Sequence, residues 1–353
     1  MSAKTKFPLY SPGLGCDTNN NKELLIIDLR PDTSFAALAN CKDGEVTITK
    51  ESKIVTTNYS SFSALADAFR KKEGLDSVRE LSVAVPGPVI DGMCKTPNLP
   101  WEVSKEVVEK ELGFSKVHLI NDLEAVAYSL SDVYDDKFEI IYKPESKRRA
   151  NVAILAPGNG LGEAGLYYDG EFLRPFATEG GHTEFSPRDD FEVQFYQFLK
   201  NIYGIVTWEN VLSKKGLYNI YRFLRDIGRH EEEPWLRERV EKEDFLHVVS
   251  SVAREQKSRL VKLTMAMFLD FLAREANSMV LKLKATGGLI ITGEIMEEIY
   301  DLIDKERFYK NFMISDRMEH LLKDIPIYIL RNKKGILEGA AYYGAFYEDV
   351  DNQ

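Results

Sequence analysis

Three short stretches of the sequence concentrate residues able to handle phosphate, hydroxyl groups or protons. Ala156–Gly162 reads APGNGLG and directly follows an apolar run of strand length. Glycines at 158, 160 and 162 let a backbone turn sharply and present its N–H groups to an anion. A plain strand-to-strand turn also uses glycine, so the loop alone leaves both readings open. It is neither the Gly-x-x-x-x-Gly-Lys-Ser/Thr of a P-loop nor a Gly-x-Gly-x-x-Gly that opens a helix. Thr178–Pro187, TEGGHTEFSP, flanks two glycines with Glu179 and His182 on a tight bend. No Cys or second His lies nearby, so a metal site is a poor fit and hydrogen bonding is the simpler use. Ile120–Ala127, INDLEAVA, ends an apolar run with Asn121 and Asp122 and then turns helical. An Asp there can be simply a helix cap, and the local sequence leaves any further use open.

These residues need a scaffold, and 353 residues suffice for about two domains with buried cores. Hydrophobic residues make up 44% and charged residues 29%, an ordinary globular balance. The net charge of −10 opposes nucleic acid and anionic membrane as partners. Cys16, Cys41 and Cys94 are odd in number and scattered, which favours a reducing compartment over a disulfide framework. Residues 1–22 carry no apolar core of signal-peptide length and read as a polar extension; a cytoplasmic location is expected.

Apolar patterning predicts strands at Glu23–Arg30, Ser34–Asn40 and Glu45–Thr57, with Asp43-Gly44 as a hairpin turn. A helix over Ser61–Lys72, a strand over Glu80–Val89, a helix over Lys105–Leu112, a strand over Lys116–Asp122 and a helix over Leu123–Val133 follow. The second half repeats the opening, with strands at Arg149–Ala156, Glu163–Tyr168 and Glu171–Thr178. Helices are predicted at Asp189–Ile202, Gln256–Ala285, Met296–Lys305 and Gly335–Tyr347, and strands at Gly287–Thr292 and Ile325–Leu330. The charge-dense span His230–Asp244 reads as a solvated helical insert. Two α/β halves of similar order imply a cleft, a common place for a ligand.

Taken in order and spacing, these motifs resemble the bacterial glucokinase family, within the hexokinase and actin-like ATPase superfamily. The likeness spans Glu23 to Tyr347 and includes VAVPGPV (Val83–Val89), TPNLPW (Thr96–Trp101), INDLEAVA, APGNGLG, TEGGHTEFSP, WENVLSKKGL (Trp208–Leu217) and GILEGAA (Gly335–Ala341). It implies two actin-like ATPase (ribonuclease H-like) α/β domains, each a mixed sheet with flanking helices, around a central cleft. The small domain is expected at 1–132 plus 333–353 and the large one at 133–332. The implied activity is phosphorylation of glucose to glucose 6-phosphate with ATP and Mg2+, by a homodimer. Asp122 then matches the catalytic base, and Asn98, Asn121, Gly158, Glu179, His182 and Glu209 match sugar contacts. Asp28, Arg30, Thr33, Asn159, Gly160, Gly162 and Gly293 fall at the nucleotide positions, Asp28 also at that of the metal. Carboxylates and amides suit a ring of hydroxyls, each both donor and acceptor.

The nucleotide side departs from the pattern. The family's first hairpin carries Asp-x-Gly-Gly-Thr-Asn, whereas Asp28–Thr33 reads DLRPDT. Pro31 has no N–H, so the usual backbone cradle for phosphate is lost, and Asp32 adds unfavourable charge that Arg30 can offset by gripping phosphate. Asn159 stands where Thr or Ser is common. Glu294 stands in place of a glycine, either as a first-turn acid or as an obstacle to nucleotide. Two alternatives therefore accompany a working glucokinase: a non-catalytic, regulatory sugar-binding protein of this fold, or a hexokinase using another sugar or donor.

Overall fold

The computed structural model describes residues 4–5, 7–15, 22–42, 44–95, 99, 101–145, 148–227 and 230–347. Cys16 and Asp43 of the predicted hairpin turn lie outside them. The chain forms two compact units. The first comprises Met1–Asp135, Asp169–Ala177 and Lys334–Gln353; the second comprises Asp136–Tyr168 and Thr178–Lys333.

In the first unit, β1 (Lys22–Asp28), β2 (Thr33–Lys42) and β3 (Glu45–Val55) form an antiparallel meander. β4 (Glu80–Val85) and β5 (Lys116–Asn121) then add in parallel, giving the order β3-β2-β1-β4-β5. The run Leu24–Ile27 is buried on both faces, as a central strand requires. Leu25 and Ile27 face Phe62, Leu65 and Phe69 of helix α1 (Phe62–Glu73), while Leu24 and Ile26 face Leu337 and Ala341 of the C-terminal helix Gly335–Phe346. Ser61 caps α1 by accepting the Ala64 amide, and Gly74 ends it in the left-handed region at φ 66°.

β4 stops at Val85, short of the predicted Val89, because Pro86 and Pro88 cannot donate to the ladder. The segment beyond makes a small antiparallel ladder from Val89–Ile90, Met93–Cys94 and Val103–Ser104, which patterning missed. α2 (Lys105–Leu112) has the predicted bounds, and α3 (Asp122–Ser129) is shorter than expected. The N-terminal stretch, read as a polar extension, is docked where it is described. Leu9 is buried, Tyr10 and Leu173 exchange backbone contacts with their neighbours, and the Arg174 guanidinium lies 3.6 Å from the Tyr10 ring centre.

The second unit has the strands β6 (Phe138–Tyr142), β7 (Val152–Pro157), β8 (Leu161–Tyr168), β10 (Gly288–Ile291) and β11 (Ile327–Leu330), and the intervening strand β9 (Leu173–Thr178) belongs to the first unit as far as Ala177. β7 pairs antiparallel with β8 and parallel with β10, which is parallel to β11. An antiparallel opening followed by parallel additions thus recurs in both units. The core lies under the 25-residue helix Arg259–Leu283, where Phe268, Phe271 and Leu272 are buried. The helix predicted over Met296–Lys305 is broken. It stops at Ile299, and a separate one starts at Lys305 because the Asp304 side chain caps it through the Arg307 amide. The insert helix, Pro234–Lys242, is anchored as well as solvated: buried Glu232 accepts from the Tyr221 hydroxyl and from Arg237. Among the described residues no helix is long and apolar enough to cross a membrane.

Gly339 in the C-terminal helix lies against α3, and a Cβ there would stand 1.6 Å from the Ala125 carbonyl. Gly339→Ala is expected to force the two helices apart at a cost of about 1–3 kcal/mol. A thermal melt checks this, with an unchanged midpoint counting against the tight approach.

Candidate active site

In the first unit, parallel pairing brings several predicted residues to one sheet edge. Asp28 is opposite Ala84, and Val85 is opposite Asn121. The carboxyl ends of β1, β4 and β5 therefore present Asp28, the turn at Gly87 and the pair Asn121-Asp122 together, the edge at which α/β sheets bind ligands. The N-cap of α3 is Asn121 rather than Asp122. Its Oδ1 accepts from the amides of Leu123 (2.8 Å) and Glu124 (3.3 Å), and its Nδ2 donates to the Gly87 carbonyl at 3.1 Å. Asp122 occupies the first helical position, half-buried, and its Oδ1 accepts from the Leu123 amide at 2.8 Å. Asn98 falls outside the described residues.

The altered hairpin turn is closed by a ring of three hydrogen bonds that sequence reasoning missed. The Arg30 amide donates to Ser34 Oγ at 3.0 Å, the Thr56 hydroxyl donates to the Arg30 carbonyl at 2.7 Å, and the two hydroxyls meet at 2.7 Å. Ser34 and Thr56 are fully buried, and the Thr56 amide donates to the Asp32 carbonyl. Thr33 enters β2 opposite Val55. The Arg30 amide is thus spent inside the turn, and Pro31 has none to offer.

What the turn presents is side chain. Arg30 donates from Nε and Nη2 to Asp28 Oδ2 at 2.9 and 2.6 Å, and its guanidinium lies 4.8 Å from the Phe35 ring centre. Asp28 is buried, and burial pushes its carboxyl up while Arg30 draws it back. Its Oδ1 is buried with no hydrogen-bond partner, an acceptor suited to a cation. One carboxylate is also the usual protein contribution to magnesium carried on a nucleotide.

In the second unit the three remaining motifs are brought together. β7 ends at Pro157, and the Gly158 amide closes the turn on the Gly160 carbonyl at 2.8 Å, with Asn159 at its tip. Glu209 reaches this turn from the short Trp208–Asn210 helix, its Oε2 accepting from the Leu161 amide at 3.1 Å. A Cβ on Gly160 would stand 2.5 Å from that oxygen. Gly162 follows, opposite Ala156 in the β7–β8 ladder.

Glu179 precedes and His182 ends a one-turn helix, Gly180–His182, with side chains exposed by 55% and 61% and Glu179 Oε2 4.0 Å from His182 Nε2. The Trp208 amide donates to the Thr183 carbonyl, which ties this bend to the Glu209 turn. Gly293, at φ 99°, sits where a Cβ would meet the Pro157 carbonyl at 2.6 Å, so the end of β10 presses on the end of β7. Glu294 is the first residue of the helix Glu294–Ile299 and is paired with Lys214 at 2.6 Å, which makes it a first-turn acid. Lys214, whose own amide donates to the Gly158 carbonyl, had no role in the sequence reading although it lies within WENVLSKKGL.

A family model described as Glucokinase matches residues 32–346. A glucokinase of Nostoc punctiforme is 33% identical over 275 residues, covering 74% of this chain and 81% of that one. The solved glucokinase of an Antarctic psychrotroph superposes with TM-score 0.76 at 21% identity, over 92% of this chain and 99% of that one. A Balamuthia mandrillaris glucokinase solved in complex with glucose gives 0.75 at 19%, over 94% and 96%.

Ser34→Ala removes two members of the turn's hydrogen-bond ring from a buried position. A stability loss of about 1–3 kcal/mol is expected, read as a lower melting temperature. No change would mean that the ring does not hold the turn.

Proposed function

The chain belongs to the glucokinase family, and on that premise we propose that it transfers the terminal phosphoryl group of ATP to the 6-hydroxyl of glucose. The products are glucose 6-phosphate and ADP. The observation that carries the reading is the placement of Asp122 on the first turn of α3, beside a helix cap that fixes its backbone. A protein that only bound sugar would have little need for an acid–base group there.

Asp122 orients the attacking hydroxyl and takes its proton as the new P–O bond forms and the bond to ADP breaks. Transfer through a loose transition state depends mostly on positioning and charge neutralisation, so a strong base is unnecessary. Glu179 and His182 supply exposed hydrogen-bonding groups for sugar hydroxyls. With Glu209 Oε2 committed to Leu161, the sugar contact falls to Oε1. Asn121 is largely spent as a cap and as a donor to Gly87, which leaves one amide hydrogen for a ligand. Gly158 belongs to the same turn as Asn159, and Asn98 completes the proposed sugar set.

For the nucleotide we assign Asp28, Arg30, Thr33, Asn159, Gly160, Gly162 and Gly293. Asp28 would hold magnesium through Oδ1. The ion supplies neutralisation of phosphate charge when bound. Arg30 replaces the lost backbone cradle with a forked, always-charged donor.

A coupled assay for glucose 6-phosphate with ATP and magnesium tests the activity. Asp122→Ala should fold and lose about 10²–10⁴ in turnover; full turnover in that variant would remove Asp122 from its role. Arg30→Ala should raise the KM for ATP about tenfold, the loss of one charge-assisted contact, and leave that for glucose unchanged. Equal effects on both substrates would count against a phosphate contact.

A further inference from the structure

Behind the Glu179–His182 bend lies a pair of acids that the mechanism above does not use. Glu163, on β8, is 4% exposed, and Glu275, on the long helix, is fully buried. Glu163 Oε1 and Glu275 Oε2 both lack a hydrogen-bond partner. The Glu163 carboxyl occupies the space that a side chain at Gly180 would need: a Cβ there would stand 1.8 Å from Oε2. The backbone of the bend is its cover. Thr178 fastens that cover, its hydroxyl donating to the Glu163 carbonyl at 3.1 Å and accepting from the Gly180 amide at 3.2 Å.

Few charges face the pair. From the long helix, Lys282 donates to Glu275 Oε1 at 3.3 Å while remaining half exposed. Arg274 is next to Glu275 in sequence but is engaged by Glu192 and by the Ser186 carbonyl. From the bend come the Thr178 hydroxyl and backbone groups. Ser278 also hydrogen-bonds Glu275, and the Arg274 charge reaches it, so what stabilising charge there is falls on Glu275. Glu163 has only the more distant Lys282 to offset its burial, and a buried charge without a partner is expensive.

We propose that Glu163 is a positioning residue, its carboxyl kept uncharged beside Glu275 so that it props the Gly180–Gly181 turn and holds Glu179 and His182 in place. The proposal rests on the sugar-binding reading of that bend. Burial, and then the charge of Glu275, push the Glu163 carboxyl up to about 8, against the pull of Lys282. Burial likewise pushes Glu275 up to about 7. Glu275 is the first of the two to lose its proton, and its charge then helps to hold the proton on Glu163. Once Glu163 ionises, its unpartnered oxygen needs water, and the thin glycine cover is where water can reach it. The folded chain holds a proton that an unfolded carboxylate releases near its ordinary value. The pair's contribution to stability therefore declines as pH rises from the ordinary carboxylate range to about 8.

Two readouts taken from about pH 6 to about pH 9 test the proposal: amide hydrogen exchange of Glu179–Thr183, corrected for its intrinsic pH dependence, and glucose affinity by calorimetry. In the wild type, protection of the bend should fall and Kd should rise about tenfold across that range, a change of one decade in affinity. Glu163→Gln keeps the shape without the charge and should hold both flat; His182 is common to both proteins. Glu275→Gln removes the like charge, so Glu163 should ionise earlier and the fall should move to lower pH. A flat wild-type profile, a Glu163→Gln profile that falls like the wild type, or an unmoved profile in Glu275→Gln overturns the proposal. Exchange that follows the stated pattern without glucose binding at any pH supports the prop and overturns the sugar reading.

Discussion

The second unit depends on carboxyl groups standing where side chains are missing. At Gly160 the vacancy is taken by Glu209, which accepts the Leu161 amide; at Gly180 it is taken by Glu163. A residue with a Cβ at either position would push the carboxyl aside and separate the turn after β7 from the bend that carries Glu179 and His182. Close approach of backbone to functional group is the use of glycine that no other residue can supply. The two contacts differ in kind. Glu209 is hydrogen-bonded to a backbone amide, whereas Glu163 has an unpartnered oxygen and is favoured neutral.

The first unit reaches a similar end without glycine. Its hairpin turn has turned inward, spending the Arg30 amide and carbonyl on buried Ser34 and Thr56. Such a turn is rigid but offers little backbone to an anion. The side chain it presents is the Arg30 guanidinium, held by Asp28 and by the face of Phe35. That pairing lowers the entropy Arg30 would lose on ordering at a ligand. On the proposed nucleotide reading it also sets a competition, because the carboxylate that steadies Arg30 is the one assigned to magnesium.

Much of this was legible in the sequence. The apolar run in Glu23–Arg30 declared a strand, Ser61 stood at the start of a helically spaced stretch, and Gly335–Tyr347 was patterned as the last helix. What escaped was decided by contacts distant in sequence or by competition between neighbours. Asn121 took the cap that Asp122 was equally able to make, since its side chain reaches two amides and still donates to Gly87. Asp304 ended one helix by starting another. The N-terminal stretch looked polar because Leu9 and Tyr10 are few, yet they find partners near Leu173. Glu163 gave no signal at all: its meaning comes from Gly180, seventeen positions on, and from Glu275, more than a hundred.

The family match begins at Asp32, so Asp28, Arg30 and Pro31 lie outside it and their chemistry must be argued from charge. Asp28 and Asp32 against Arg30 leave the turn with one net negative charge. A nucleoside triphosphate brings several more, and like charges at close range in a partly buried site repel strongly. Arg30 gives its Nε and Nη2 to Asp28, which offsets one of the two aspartates. A cation held at Asp28 would lower the repulsion further. The buried Oδ1 of Asp28, which has no hydrogen-bond partner, is an acceptor of the kind a cation satisfies, and this is the basis of the proposed magnesium contact.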